Sequence, residues 1–283
     1  MAVRAGSNAS PARHVGLVYN ADKPRARHEW QRLRRWLEQR KVKVIGASKV
    51  TEAMKNADFV VAVGGDGTVL SVARQVARWG IPVLGVNVGR LGFLAATEVG
   101  AMFRTLSRVL EGEGRIEVRT LLSVTGTAAG RKFGPTLALN DCVVRSGPSG
   151  RVLQLEASIR GRPLASYAGD GLIVATPTGS TAYNLAASGP IVYPDLDALI
   201  LCPVCPHSLM QRPLVLPTFE VLEVEVLKPS PDAILCIDGL VTQTLRSGDR
   251  IEVRRADQQA KLLMDPDRTY YQVLQSKLKW GGS

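Results

Sequence analysis

Phe59-Val60-Val61-Ala62-Val63-Gly64-Gly65-Asp66-Gly67-Thr68 is the stretch on which the fold turns. Its first half is an apolar, β-branched run without polar alternation, the pattern of a strand buried on both faces of a parallel sheet. The run stops at a glycine-rich turn, and residues 68–77 then carry apolar side chains at helical spacing with no breaker. Strand, glycine turn and helix aim backbone N–H groups and a positive helix end at an anion. Gly64, Gly65 and Gly67 let the main chain approach that anion with no Cβ in the way. Asp66 is the misfit, because its charge would repel a phosphate unless a metal or an attacking hydroxyl lies between them. That points to phosphoryl transfer, with Asp66 as base or metal-side carboxylate. From these residues alone, an ordinary loop with an Asp cap is an equal reading.

Outward from this stretch, strands and helices alternate. Residues 14–19 read as a strand and 20–24 as a loop whose Pro24 suits a helix start. Trp30, Leu33, Trp36 and Leu37 mark one face of the next helix, and Arg25, Arg27, Arg32, Arg34, Arg35 and Arg40 crowd the rest, most simply a solvated face. Short elements at 42–45 (strand) and 51–57 (helix) precede the pivotal strand. Another buried strand at 81–86 leads into a second glycine turn around Gly89, and a helix at 98–111 follows. Such alternation implies a parallel, Rossmann-like sheet with ligands at the carboxyl ends of its strands. From 116 onward the period shortens to alternating runs at 119–125, 136–145, 153–159, 218–227, 233–238 and 249–254, separated by turns such as 228–232 and 247–249. The expected organisation is a disordered tail (1–13), an α/β nucleotide-binding domain (14–115), an all-β, antiparallel sandwich-like domain (116–267) and a C-terminal helix (268–283) packing back on the first domain.

With 283 residues and 45% hydrophobic content, the chain can bury two sizeable cores. A net charge of +11 points to anionic ligands. No apolar run approaches the ~20 residues of a membrane span, and no leader pattern opens the sequence, so a cytoplasmic location is expected. Cys202 and Cys205 have CxxC spacing with His207 close behind, but no second pair accompanies them. They read as small apolar residues, with neither a disulfide nor a metal expected.

Three further stretches carry chemistry. Leu139-Asn140-Asp141 sets an amide beside a carboxylate, able to hold sugar hydroxyls or a base edge. Gly169-Asp170-Gly171-Leu172-Ile173-Val174-Ala175-Thr176-Pro177-Thr178-Gly179-Ser180-Thr181-Ala182-Tyr183-Asn184 combines a second Gly-Asp-Gly turn, an apolar strand and a loop dense in hydroxyls and glycine. The third runs from Cys205-Pro206-His207 to Arg212-Pro213-Leu214-Val215-Leu216. With 64–68, 84–94 and the ending from Tyr270-Tyr271 to Trp280, these features span nearly all of the chain after the tail. Together they resemble the NAD kinase family, which phosphorylates the adenosine 2′-hydroxyl of NAD to make NADP. The GGDGT turn by itself is shared with diacylglycerol and sphingosine kinases; the 169–184 run is far more specific.

The resemblance implies Asp66 as the base on the ribose hydroxyl, with Gly64, Gly65, Gly67 and Thr68 forming the nucleotide turn. It places Asn140 and Asp141 on the substrate's ribose and base; the family most often has Glu in place of Asp141. Arg151 is the implied basic contact, and Asp170 binds the nicotinamide end or a neighbouring adenosine group. Thr178, Ser180, Thr181, Ala182, Tyr183, Asn184, Leu185 and Ala186 belong to the adenine and ribose pocket. Near Asp238-Gly239-Leu240 the family commonly has Gln at the last position. The implied co-substrate is ATP, or polyphosphate, with Mg²⁺ or another divalent ion carried on the phosphates rather than by a protein metal site. A homotetramer or homodimer is implied, with neither nucleic acid nor membrane as a partner. The competing readings are a lipid or sphingoid-base kinase of the same superfamily and a non-catalytic dinucleotide sensor.

Overall fold

The computed structural model describes residues 12–89, 92–147, 151–228 and 233–280, with the backbone of a short strand β1 at Val3–Arg4. The rest of the expected tail before Ala12, Arg90 and Leu91 of the second glycine turn, and 229–232 of the expected 228–232 turn lie outside the described residues. Two compact units make up the chain: Met1–Val118 with Gln259–Ser283, and Arg119–Gln258.

In the first unit, β2 (His14–Tyr19), α1 (Pro24–Gln39), β3 (Lys43–Ala47), β4 (Phe59–Gly64), α2 (Asp66–Val76) and β5 (Pro82–Asn87) follow in order, then β6 (Thr97–Glu98) and α3 (Met102–Leu110). β3, β2, β4 and β5 pair parallel in that spatial order, and residues 261–263 add a further parallel strand against Pro82–Leu84. That pairing is why the first unit takes the chain back at Gln259 and not at 268. β1 pairs antiparallel with Arg115 and Ile116, inside the expected tail. All six residues of β4 are buried, as the unbroken apolar run requires of a central parallel strand.

On α1 the buried face is Ala26, Glu29, Leu33 and Leu37, while the two tryptophans are half-buried. Each fully buried leucine contributes about 1.5–3 kcal/mol. The expected arginine-rich surface is largely engaged within the helix: Arg40 stacks 3.8 Å from the Trp36 ring centre, Arg34 lies over Trp30, and Arg32 and Arg34 pair with Glu29 and Glu38. Close packing also joins α2, β5 and the segment after β5. A Cβ on Gly85 would lie 2.7 Å from Val69 Cγ2 and 2.9 Å from Ala95 Cα, so only glycine allows this approach.

The second unit is antiparallel. β7 (Arg115–Ala128) enters it and pairs with β8 (Arg131–Ala138). β9 (Asp141–Arg145), β10 (Leu153–Ile159), β11 (Arg162–Gly169), β12 (Gly171–Ala175) and the single turn α4 (Tyr183–Ala186) follow. Then come β13 (Ala198–Val204), β14 (Leu214–Pro217), β15 (Leu222–Lys228), β16 (Ile234–Ile237), β17 (Leu240–Thr244) and β18 (Arg250–Met264), before α5 (Tyr270–Leu278) in the first unit. One sheet has the order β14-β13-β12-β9-β16-β17. It is buried on both faces: Cys142, Val144, Leu172, Val174, Leu199 and Leu201 join one core, and Val143, Ile173, Ala175, Ile200 and Cys202 the other. Leu153, Leu155, Val224 and Ile251 from the opposing strands complete the first of these cores, giving the layered sandwich expected from the alternation.

Candidate active site

β4 delivers Gly64 and Gly65 to the carboxyl edge of the parallel sheet, and α2 starts at once with Asp66. Gly64 lies opposite Asn87 of β5, so the two glycine turns emerge side by side; the Val88 N–H also donates to the Gly64 carbonyl at 2.9 Å. Thr68 tightens the helix start, its hydroxyl accepting the Gly65 N–H at 3.4 Å and the Asn20 amide at 3.3 Å. A Cβ on Gly64 would collide with that threonine. The Asp66 carboxylate turns away from its own helix. Its oxygens accept the backbone N–H groups of Phe93 (2.7 Å) and Leu94 (3.3 Å), and a Cβ on Gly92 would overlap it. The misfit inferred from sequence is thereby resolved: a negative group is held at the anion-binding end of the helix by donors from another loop.

Beside this turn a cavity of about 320 Å³ is lined by Asn20, Asp22, Lys49, Gly67, Thr68 and Gln75, among others. The Lys23 ammonium stands 3.3 Å from where a Cβ on Gly65 would sit. Sequence reading passed over Lys23 as part of a loop; its position just before the Pro24 helix start was the available signal.

In the second unit, a cavity of about 440 Å³ brings together Asn140, Asp141, Arg145, Tyr183, Cys236 and Asp238. Asp238 sits at φ +50°, and its carboxylate accepts three successive backbone N–H groups, from Leu139 (3.0 Å), Asn140 (2.7 Å) and Asp141 (3.2 Å). Asp141 is 4% exposed, and burial first, then the neighbouring Asp238 charge, pushes its carboxyl up to about 7. Near neutrality it can therefore donate a hydrogen bond as well as accept one. Arg145 is the lining cation; its charge is favoured by a hydrogen bond with Cys236. Arg151 is exposed and is not among the residues lining this cavity. Sequence reading missed Arg145 and named Asp238 without giving it a role, since a turn aspartate and a strand-end arginine gain meaning only through their neighbours.

The 176–184 loop is built from within. Thr176 donates to the Leu139 carbonyl at 2.6 Å and accepts the Gly179 N–H, and a Cβ on Gly179 would strike the Asn140 carbonyl. Ser180 and Asn184 are fully buried: Ser180 donates to Pro177 and accepts from Val192, and Asn184 donates to the Ser180 and Pro190 carbonyls. Thr178 is also buried. These three side chains face inward and shape the loop, while Tyr183 and Ala186 are exposed and Thr181, Ala182 and Leu185 half-buried. Asp170 holds the turn before β12 through its backbone, donating to Val204 and accepting from Ser146. Its carboxylate bonds the Cys205 thiol, and its charge also acts on the Tyr183 hydroxyl. Cys202 behaves as the expected core residue; Cys205 does not, being exposed at φ +46°.

Family models describing the ATP-NAD kinase N-terminal domain match residues 50–114, and those for the ATP-NAD kinase C-terminal domain match 139–264. The chain belongs to the ATP-NAD kinase family. It is 40% identical to an NAD kinase of Heliobacterium modesticaldum, over 94% of this chain and 99% of that one, and 41% identical to one of Moorella thermoacetica, over 95% and 90%. Among solved structures, it resembles yeast NADH kinase complexed with NADH, with TM-score 0.86, 26% identity, and coverage of 96% of this chain and 89% of that one. It also resembles an NAD kinase from Archaeoglobus fulgidus in complex with ATP, with TM-score 0.79, 27% identity, and coverage of 94% and 98%. The family's two matched domains thus contain Asp66 on one side and the Asn140–Asp141 cavity on the other. No helix among the described residues is long and apolar enough to cross a membrane.

Proposed function

We propose that this chain phosphorylates the adenosine 2′-hydroxyl of NAD at the expense of ATP, giving NADP and ADP, with Asp66 as the general base. The observation that carries the reading is the Asp66 carboxylate, fixed by two backbone N–H groups at the mouth of a glycine turn. In the reaction the ribose O2′ attacks the γ-phosphorus, the new O–P bond forms as the bridging bond to the β-phosphate breaks, and the hydroxyl proton passes to Asp66. A ribose hydroxyl is a far weaker acid than any carboxylic acid, so the proton moves late, once bonding to phosphorus has acidified it. Until then the carboxylate orients the nucleophile, which is where most of the advantage in phosphoryl transfer lies.

The cavity beside Asn20, Thr68 and Lys23 takes the donor, with the glycine turn and the Lys23 ammonium on its phosphates. The cavity at Asn140, Asp141, Arg145 and Tyr183 takes the dinucleotide, Arg145 countering its phosphates. Among the described residues no group of three or more His, Cys, Asp and Glu is arranged to hold a metal ion. A divalent ion would arrive on the nucleotide, neutralising phosphate charge. We further propose a homo-oligomer, dimer or tetramer, in the cytoplasm. Exposed apolar side chains on both edge strands of one sheet, Val215 on β14 and Leu240 and Val241 on β17, support self-association, and four free thiols suit a reducing compartment.

The test is NADP formation by the purified chain with NAD, Mg²⁺ and either ATP or polyphosphate, beside Asp66→Asn. The expected result is turnover in the wild type that falls roughly 10²–10⁴-fold in the variant. Binding of NAD without NADP from either donor would sink the kinase reading.

A further inference from the structure

The two N–H groups that hold Asp66 belong to a short segment after β5 whose own placement needs explaining. Its far end is fixed to the sheet, since the Ala96 N–H donates to the Gly85 carbonyl at 3.0 Å. Its middle is fixed by a residue from the other end of the chain. The Arg268 guanidinium donates to the Ala95 carbonyl at 3.1 Å, immediately after the peptide N–H of Leu94 that bonds Asp66. Ala95 is fully buried, so its carbonyl depends on a protein donor.

Arg268 is in turn held from behind. Its carbonyl accepts Arg115 Nη2 at 2.9 Å and its N–H donates to the Asp265 carbonyl at 3.1 Å. The same turn is anchored by Arg108 on Asp267 (2.6 Å) and by the Thr105 hydroxyl on Asp265 (3.3 Å). Burial works against the Arg268 charge, and the carboxylates of Glu98, Asp66 and Asp265 sustain it. A half-buried guanidinium therefore stands within electrostatic reach of Asp66 without being hydrogen-bonded to it.

We infer that Arg268 is a positioning residue for the reaction: by bonding the Ala95 carbonyl it aims the Phe93 and Leu94 N–H groups, and through them sets the direction of the Asp66 carboxylate. This rests on the reading of Asp66 as the base. Removing the guanidinium leaves the Ala95 carbonyl without its donor and lets the segment rotate. Asp66 then loses its aim, and the loss falls on kcat while substrate binding is retained.

The experiment measures kcat and the KM values for NAD and ATP in four full-length proteins: Arg268→Gln, Arg268→Lys, Asp66→Asn, and Asp66→Asn with Arg268→Gln, each checked by thermal melting. In Arg268→Gln kcat falls about 10- to 100-fold with both KM values within about twofold of wild type. Arg268→Lys, which keeps the charge and one donor, falls between that variant and wild type. The double variant is no slower than Asp66→Asn alone, because Arg268 acts through the carboxylate that is already gone. A folded Arg268→Gln with wild-type kcat overturns the inference, as does an equal loss in the presence and absence of Asp66. Wild-type turnover in Asp66→Asn would instead overturn the base assignment, a different outcome. If Arg268→Gln does not fold, Arg268→Lys carries the comparison in both backgrounds, and either a wild-type rate or an equal loss in each defeats the proposal.

Discussion

The Asp66 carboxylate accepts the Phe93 N–H at 2.7 Å, tying the first turn of α2 to a segment 27 residues further on. A carboxylate at a helix start ordinarily caps its own helix; here the donors come from elsewhere, and the preceding glycine leaves them room. Gly92→Ala would push a methyl group into the carboxylate oxygens. The expected outcome is a kcat lower by about 10- to 100-fold with melting little changed. Steady-state kinetics beside a melting curve checks it.

Asp238 collects the N–H groups of Leu139, Asn140 and Asp141 on one carboxylate. Hydrogen bonds to a charged acceptor contribute about 1.5–3 kcal/mol, and leaving buried donors unmet adds to the loss. Asp238→Ala should therefore destabilise the chain by at least about 2 kcal/mol. Urea unfolding of the two proteins at one pH measures this, and a loss below half that figure would show that the loop holds without the carboxylate.

Asp141 gives a pH signature of definite sign. Its carboxyl rises from an ordinary 3.8 to about 7 in the folded chain, through burial first and then the Asp238 charge. Between those values the folded state keeps a proton that the unfolded state has released. Stability that is full below about pH 4 is thus lost as pH climbs to about 7, and changes no further above it. At about 1.4 kcal/mol per pH unit, the contribution is on the order of a few kcal/mol. Asp141→Asn should remove this slope. The stability difference between variant and wild type, followed by urea unfolding across this range, should widen toward neutral pH and then level off.

The Lys23 ammonium stands over the Gly65 turn. As the cation on the donor phosphates, its replacement by Met should raise the KM for ATP by roughly tenfold while the KM for NAD holds. Equal changes in both KM values would remove Lys23 from the donor site.

The parallel sheet and the Asp66 turn were legible because burial on both faces and the change from strand to helical period are both written locally, in 59–77. The sandwich followed from alternation along β10, β15 and β18, where inward Leu153, Leu155, Val224 and Ile251 alternate with polar neighbours. What stayed hidden were relations between distant residues. Nothing near Arg268 announces Ala95, and nothing near Asp238 announces the N–H groups at 139–141. The 178–184 loop shows the converse limit: its hydroxyls and amide drew notice as ligand contacts, yet Ser180 and Asn184 point inward to fold the loop itself.

Because 259–283 fold with 1–118, the unit bearing Asp66 is finished from both ends of the chain. During synthesis the glycine turn and its aspartate leave the ribosome some two hundred residues before the strand at 261–263 and Arg268. A chain cut after Gln258 would keep every residue of α2 and of both glycine turns, yet lack the parallel strand beside β5 and the guanidinium on Ala95. Proteolytic trimming or an early stop codon in this final stretch therefore strikes the Asp66 centre directly, although the lesion lies some two hundred residues away from it in sequence.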